Sequence, residues 1–299
     1  MQFLKKLKDT FHDYSFILPA IIFLGLFLIY PVLYNINLSF REINIRNLAQ
    51  GDRPFVGFEN YITILTDPLF SKALMNSLLF TAATLIFSTF FGFCLALYFN
   101  QTFPGHKWMR AILLVAWMTP IVIVGTIFRW MLDAEHGIIN SMLIDAGLIS
   151  DPIRWLTDTS TSLISVIIAN VWLSIPFSMV ILLGGLQGLP KGVYEAAKID
   201  GANKLKQFLY ITFPMMKPTF SILVMLGVIY TFKVFDIIYI MTAGGPANSS
   251  QVLPYLAYDL SFTLHRFGEG AGVSNISLII IASISLIYLY IIRKESVID

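Results

Sequence analysis

The sequence predicts an all-α fold, namely a polytopic membrane protein with six transmembrane helices. Of its 299 residues, 57% are hydrophobic and only 13% are charged, whereas soluble domains carry about 25% charged residues. Apolar runs of about 20 residues, the length at which a helix crosses a bilayer, recur along the chain. The single cysteine, Cys94, lies inside one of these runs, so neither a disulfide framework nor a cysteine metal site is expected.

Six apolar runs alternate with polar connections rich in turn residues. They cover residues 16–38, 74–99, 109–132, 163–186, 208–241 and 273–292. The first run lacks a small-residue cleavage site and is expected to remain as a span. The third run contains Pro120 in its middle. The fifth is too long for one straight crossing, so its first turns are expected at the membrane surface, bent by Pro214 and Pro218.

Lysine and arginine are distributed unevenly between the two sets of connecting segments. Eleven belong to the set with both termini, namely Lys5, Lys6, Lys8, Lys107, Arg110, Lys191, Lys198, Lys204, Lys206, Arg293 and Lys294. Six belong to the opposite set, namely Arg41, Arg46, Arg53, Lys72, Arg154 and Arg266. The positive-inside rule therefore places both termini in the cytoplasm. The predicted organisation is a cytoplasmic segment at 1–14, a six-span domain at 15–292 and a cytoplasmic tail at 293–299.

The loop at 190–206, on the cytoplasmic side of this topology, is predicted to hold a short helix. Pro190 is suited to a helix start, because a first-turn residue needs no backbone donor. Residues 191–199 form the helix, with the small side chains of Ala196 and Ala197 at its centre. Gly201 ends it, because glycine adopts the left-handed conformation of a C-terminal cap at little cost. A second helix is expected from near Leu205.

The spacing of this loop resembles the EAA loop of ABC importer membrane subunits. Glu195, Ala196 and Ala197 are followed at the family's intervals by Gly201, Ile211 and Pro214, and Phe213 stands where leucine is usual. The resemblance implies a coupling helix that sits in a cleft of the ATP-hydrolysing subunit. The residues it assigns to this contact are Tyr194, Glu195, Ala196, Ala197, Asp200 and Gly201. Composition alone favours an ordinary cytoplasmic loop with a capped helix.

Motifs for chemistry are missing from the sequence. It contains no GxxxxGK[ST] loop for phosphates, no HExxH and no GxSxG. Its four histidines are scattered over loops on both sides of the membrane. We therefore expect no catalytic residue, no metal site and no cofactor in this chain. The resemblance implies that ATP and magnesium are bound by a partner ATPase.

Polar and aromatic residues within three spans form stripes at helical spacing. They are Trp117 and Ile121 in the third span, Asn170, Leu173, Ser174 and Phe177 in the fourth, and Gly227, Tyr230, Thr231 and Val234 in the fifth. One interpretation is a passage for a polar, ring-shaped solute, with hydrogen-bonding groups beside aromatic faces. The other is helix–helix packing, with polar side chains bonding between helices. Spacing alone favours packing.

Further stretches resemble the carbohydrate-uptake branch of these permeases, which includes the larger membrane subunit of the maltose transporter and glycerol-3-phosphate permeases. They are FVGFENY at 55–61, HGIINSMLI at 136–144, NVWLSIPFSMVILLGGLQGLP at 170–190 and FKVFDIIYIMTAGGP at 232–246. The resemblance implies a mid-membrane sugar site on the third, fourth and fifth spans. It assigns the ten residues of the stripes to substrate binding.

The function expected from this resemblance is sugar or polyol import across the inner membrane by alternating access. The expected partners are a second homologous permease in a heterodimer, an ATP-binding cassette ATPase dimer, an extracytoplasmic solute-binding protein and the lipid bilayer, with no nucleic acid. An ATP-independent secondary transporter is the alternative, and it needs an ion relay. The candidates for such a relay are Lys233 and Asp236, which are three residues apart and could pair on one helix face. An intramembrane enzyme is a third class, for which no nucleophile is evident.

Overall fold

The computed structural model describes residues 17–51 and 53–295. The predicted cytoplasmic segment at 1–14, with its three lysines, lies outside the described residues, as do the last four residues of the predicted tail. The described part is helical, apart from turns and one isolated antiparallel bridge between Arg41 and Phe55. The predicted all-α class is confirmed.

Fourteen helices are numbered here within the described residues. They are α1 Leu18–Ser39, α2 Ile45–Gln50, α3 Glu59–Thr66, α4 Pro68–Phe99, α5 His106–Met118, α6 Ile121–Met131, α7 Ile138–Asp145, α8 Ser162–Gln187, α9 Lys191–Ile199, α10 Lys204–Met215, α11 Lys217–Phe232, α12 Asp236–Met241, α13 Leu253–Tyr258 and α14 Phe267–Glu295. Helix α1 contains a π-helical stretch at Gly25–Ile29, and α10 contains another at Phe208–Thr212.

The helices that can cross a membrane agree with the six predicted spans. Four are long and apolar enough on their own, namely α1, α4, α8 and the part of α14 up to Tyr290. Two bent pairs, α5 with α6 and α10 with α11, pass the same test together. The count within the described residues is six when each pair is one span.

The third span is not the continuous helix that the sequence run suggested. Helix α5 ends at Met118, Thr119 and Pro120 are extended, and α6 starts at Ile121 at 92° to α5. Proline cannot donate the backbone hydrogen bond of a helix interior, and it disfavours helical geometry in the residue before it. Pro120 thus divides the span into two helices.

The fifth run also differs from its prediction at the far end. The predicted bend at its start is confirmed, because α10 and α11 meet at 54° between Pro214 and Pro218. Helix α11 ends at Phe232, and residues 236–241 form the separate helix α12. Lys233 caps the end of α11 and Asp236 opens α12, the positions where the helix dipoles favour a cation and an anion. The prediction that these two residues share one helix face is wrong.

The chain forms two compact units. The first contains the described residues up to Asp67 and Ala257–Ile276. Within it, the side chain of Asn275 accepts a hydrogen bond from Asn35 at 2.8 Å and donates to Ser39 at 3.0 Å and to the Tyr61 hydroxyl at 3.2 Å. Polar side chains that are paired in this way satisfy one another away from water.

The second unit contains Pro68–Leu256 and the described residues from Ser277 onward. Its centre is the packing of α4 on α8. One face of α4 is buried and carries small or hydroxyl side chains, namely Ser77, Thr81, Thr84, Ser88, Gly92 and Ala96. Such residues let helix backbones approach closely. All of the residues assigned to function lie in this unit.

Candidate functional site

A cavity of about 380 Å³ lies among α4, α5, α6, α8 and α11. All ten residues of the predicted stripes line it, namely Trp117, Ile121, Asn170, Leu173, Ser174, Phe177, Gly227, Tyr230, Thr231 and Val234. The three stripes, which are far apart in sequence, therefore face one common space. The volume lies near the lower end of the range of about 300–1,000 Å³ typical of small-molecule sites.

The break in the third span supplies the first wall of the cavity. Trp117 lies in the last turn of α5 and Ile121 is the first residue of α6. The sequence interpretation placed them one turn apart on a single helix, which is wrong. They line the same cavity because the chain turns between them at Thr119 and Pro120, and Thr119 itself contributes to the lining.

Helix α8 supplies a polar wall that is hydrogen-bonded internally. The hydroxyl of Ser174 donates to the carbonyl of Asn170 at 2.7 Å, and the Asn170 amide donates to Thr84 Oγ1 at 3.3 Å. Asn170 is only 3% exposed. Its side chain therefore joins α8 to α4. Both interpretations of the sequence, helix packing and cavity lining, apply to this residue.

Helix α11 also lines the cavity, through Leu223, Gly227, Tyr230 and Thr231. Gly227 lies so close to Leu85 of α4 that a β-carbon at this position would collide with the leucine side chain. The absence of a side chain thus lets α11 approach α4. Three residues farther on, Tyr230 is 54% exposed in the chain taken alone, so its ring is available to a ligand.

Three aromatic rings form a series along the cavity. The rings of Trp117 and Phe177 are 5.6 Å apart at 33°, and those of Phe177 and Tyr230 are 6.2 Å apart at 79°. These distances are typical of favourable aromatic pairs. Phe177 is thereby fixed between two rings that are each about half exposed, Trp117 at 49% and Tyr230 at 54%.

Sequence reasoning missed five lining residues. They are Leu85, Ser88, Thr119, Ser178 and Leu223. Two of them belong to α4, for which no site residue was predicted. The sequence pattern that could have indicated α4 is its stripe of small and hydroxyl side chains at helical spacing. This stripe is buried and marks the face of α4 that packs against α8.

Lys233 lies beside the cavity and does not line it. Its ammonium group is 4.9 Å from the centre of the Tyr230 ring, a cation–π distance. Within the described part of the chain, no ion pair joins it to Asp236. The pair of charges that a relay would require is not formed.

The second predicted site, helix α9, has the bounds that the sequence indicated, Lys191–Ile199. Gly201 follows its cap with φ of +77°. The amide of Ala202 donates to the Ala197 carbonyl at 2.9 Å, and that of Gly201 donates to the Lys198 carbonyl at 3.1 Å. These two bonds form a Schellman cap, and the left-handed residue within it favours glycine.

The six residues predicted for ATPase contact divide into two groups. Glu195, Ala196, Asp200 and Gly201 are exposed, whereas Tyr194 and Ala197 are half-buried. Ile199, which was not predicted, is 87% exposed although it is apolar. Ile199 thus adds an exposed apolar side chain to the surface formed by the exposed predicted residues.

Tyr194 connects α9 to the helix that leads to the cavity. Its hydroxyl is 2.9 Å from Oγ1 of Thr212, the last residue of the π-helical stretch in α10. Thr212 is buried and also bonds to the carbonyl of Gln207 at 3.3 Å. The side-chain amide of Gln207 in turn donates to the backbone carbonyl of Ala202 at 2.7 Å. Helix α10 is therefore bonded to α9 through Tyr194 and to the loop that follows α9 through Ala202.

Known proteins resemble this chain over nearly its full length. It is 31% identical to the trehalose/maltose transport system permease protein MalF of Thermococcus litoralis over 289 residues, 96% of each chain. It is 31% identical to the sulfoquinovosyl glycerol transport system permease protein SmoG of Agrobacterium fabrum over 277 residues, 93% of this chain and 89% of that protein.

A solved structure has the same fold. This is a chain of a bacterial ABC transporter involved in the import of the acidic polysaccharide alginate, with a TM-score of 0.84, 23% identity, and coverage of 98% of this chain and 99% of that chain. Residues 70–294 match the family described as binding-protein-dependent transport system inner membrane component. The chain belongs to this family and is a multi-pass permease subunit, not an enzyme.

Proposed function

We propose that the chain carries a carbohydrate or related polyol through the inner membrane as the permease subunit of an ATP-driven, binding-protein-dependent importer. The observation that carries the proposal is the cavity of 380 Å³ shared by three spans. Aromatic faces suit the apolar faces of sugar rings, and hydroxyl and amide groups suit their hydroxyls. The substrates for which the relatives are named, trehalose or maltose and sulfoquinovosyl glycerol, agree with this class.

The proposed coupling begins at the loop 190–206, where the ATPase binds α9. Closure of the ATPase dimer on ATP displaces α9, and the Tyr194–Thr212 contact passes the displacement to α10. Helix α10 continues through the 54° bend into α11, which lines the cavity through Gly227 and Tyr230. One mechanical path therefore joins the exposed helix to the substrate site. Opening and closing of the cavity toward the two sides of the membrane is alternating access.

The proposal includes a topology and a set of partners. Both termini and the loop 190–206 lie in the cytoplasm, in agreement with the lysine and arginine count. The partners are a second homologous permease in a heterodimer, an ATPase dimer that binds ATP and magnesium, and an extracytoplasmic binding protein. A transporter without ATPase would need an ion relay, and the separation of Lys233 from Asp236 argues against one.

The test is uptake by the reconstituted importer. Proteoliposomes that contain the chain with its second permease and ATPase are supplied with the binding protein and radiolabelled maltose or trehalose. We expect accumulation that requires ATP and all three membrane-associated components. Accumulation without the ATPase would favour a secondary transporter. If the importer transports neither of these sugars nor any other carbohydrate or polyol, the carbohydrate assignment is contradicted.

Topology has a separate test. Lys198→Cys in a Cys94→Ser background carries one thiol, on the exposed surface of α9. A membrane-impermeant maleimide should label it in inverted vesicles and not in intact cells. Labelling from outside intact cells would place the loop on the wrong side for an ATPase and overturn the coupling mechanism.

A further inference from the structure

The family does not determine whether the sugar carries a charge. The relatives named above include permeases for trehalose or maltose, which are neutral sugars, and for sulfoquinovosyl glycerol, which bears a sulfonate. The solved structure of the same fold serves an acidic polysaccharide. The charge of the substrate must therefore be inferred from the cavity itself.

The lining of the cavity is uncharged. Among the described residues that line it, the side chains are aliphatic, aromatic, hydroxyl or amide, and none is Asp, Glu, Lys, Arg or His. A carboxylate or sulfonate that entered would lose its hydration without meeting a cation among the lining side chains. The penalty for burying an unpaired ion is large even after a protein has relaxed around it.

The nearest cations do not line the cavity. The ammonium group of Lys233 lies over the Tyr230 ring at 4.9 Å, and Lys233 is exposed and outside the lining. Arg129 of α6 lies eight residues beyond Ile121, which corresponds to about 12 Å along a helix. Its guanidinium donates to the carbonyl of Ile240 at 3.3 Å and lines other clefts, together with Asp133. The charges of these spans thus lie outside the lining, with Lys233 at its edge against Tyr230 and Arg129 farther away.

The polar groups that do face the cavity suit neutral hydroxyls. Ser174 uses its proton on the Asn170 carbonyl, so its oxygen remains an acceptor for a sugar hydroxyl. Trp117 and Tyr230 expose aromatic surface on either side of Phe177. A sugar can rest its apolar ring face on these rings and exchange hydrogen bonds with hydroxyls, and neither contact requires a charge.

We propose that the cavity accepts neutral saccharides of one or two rings and rejects acidic ones. This inference rests on the proposed function and adds the substrate's charge and size to it. A volume of about 380 Å³ is too small to enclose a long oligosaccharide. A longer chain would have to extend beyond the lining described here.

Direct binding to the importer in nanodiscs, without the binding protein, tests the inference at the permease itself. Radiolabelled maltose and trehalose are the probes, and the competitors are the unlabelled sugars and their uronate forms oxidised at C6. We expect the uronates to compete roughly a hundredfold less well than the neutral parents. Sugar and uronate differ little in size, so the comparison isolates charge.

A charge placed in the cavity provides the converse test. Leu173→Lys introduces a cation at the lining, and Leu173→Met is the control of similar length without charge. The lysine variant should reduce the discrimination against uronates at least tenfold, and the methionine variant should leave it unchanged. Equal competition by uronate and neutral sugar in the unmodified importer would overturn the inference and leave the proposed function intact. If the importer neither binds nor transports either sugar, both proposals fail.

Discussion

The cavity and the coupling loop at 190–206 belong to the same compact unit, yet they are built in opposite ways. The residues of the loop are neighbours in sequence and fold into one capped helix. The cavity residues come from four separate segments between Leu85 and Val234. The loop exposes its functional groups, whereas the cavity withdraws Asn170 and Thr231 from solvent. Substitutions in the two regions should therefore separate ATPase binding from substrate binding.

The largest effect is expected at Gly201. Gly201→Asp places a side chain on a residue with φ of +77°, which costs roughly 1 kcal/mol, and adds a bulky charge to the surface proposed for the ATPase. Uptake should be lost and ATPase co-purification should fall at least tenfold, while membrane insertion persists. Gly192→Asp is the matched control, since Gly192 lies exposed in the first turn of α9 and an added β-carbon there would meet no atom within 4 Å. Equal effects of both substitutions would refute a special role for the cap.

A large effect is also expected at the aromatic rings of the cavity. Trp117→Ala and Tyr230→Ala remove the two exposed ring faces, so uptake should fall roughly five- to tenfold, as aromatic contacts of about 1–1.5 kcal/mol imply. ATPase co-purification should not change. Trp172→Ala is the control, because Trp172 is exposed on α8, contacts Phe128 and does not line the cavity. If Trp172→Ala reduces uptake as much as Trp117→Ala does, the cavity is not the substrate site.

A smaller effect is expected where the two regions are joined. Tyr194→Phe removes the hydroxyl that bonds to Thr212, a loss of about 0.5–1.5 kcal/mol. The ATPase should still bind, but the amount of sugar transported per ATP hydrolysed should fall about two- to fivefold. Tyr210→Phe is the control, because Tyr210 is exposed on the same π-helical stretch.

A double-mutant cycle of Tyr194→Phe with Thr212→Val isolates this contact. If the hydroxyl pair transmits the motion, the double variant should be no worse than either single variant, because each one already breaks the bond. Additive losses would show that the two residues act separately and would remove the direct path from α9 to the cavity.

The smallest effect is expected at Phe213, the one departure from the family's loop pattern. Phe213 is half-exposed and its ring is 5.7 Å from that of Phe220. Phe213→Leu keeps an apolar side chain at this position, so uptake and ATPase co-purification should each change less than twofold. A larger loss of uptake would show that the Phe213–Phe220 contact contributes to transmission between the two regions.

Much of this structure follows from local patterns. Helix α9 was predicted with its bounds because Pro190, the residues 191–199 and Gly201 act through bonds between near neighbours. The bend between α10 and α11 was predicted because Pro214 and Pro218 each remove a donor. The cavity residues were placed together only through the resemblance, since helical spacing shows which side chains share a face and not what that face contacts.

The errors lie where tertiary packing decides the outcome. Pro120 indicated a bend in the third span, but whether the chain continues as a kinked helix or turns by 92° depends on what the two halves pack against. Lys233 and Asp236 were three apart and looked like a helical pair, yet the helix ends between them. The α4 lining was missed because hydroxyl side chains in a membrane helix serve packing and ligand binding equally well.

By itself the sequence determined a membrane-embedded helical chain, six apolar spans and a glycine-capped helix in the loop 190–206, because length, hydrophobicity and capping act over one or two turns. The tertiary structure alone decided that one volume without charge collects Trp117, Asn170 and Tyr230, and that Tyr194 bonds to Thr212. Such contacts join residues that are 18 to more than 100 positions apart, and no local rule fixes which faces of separate helices will meet.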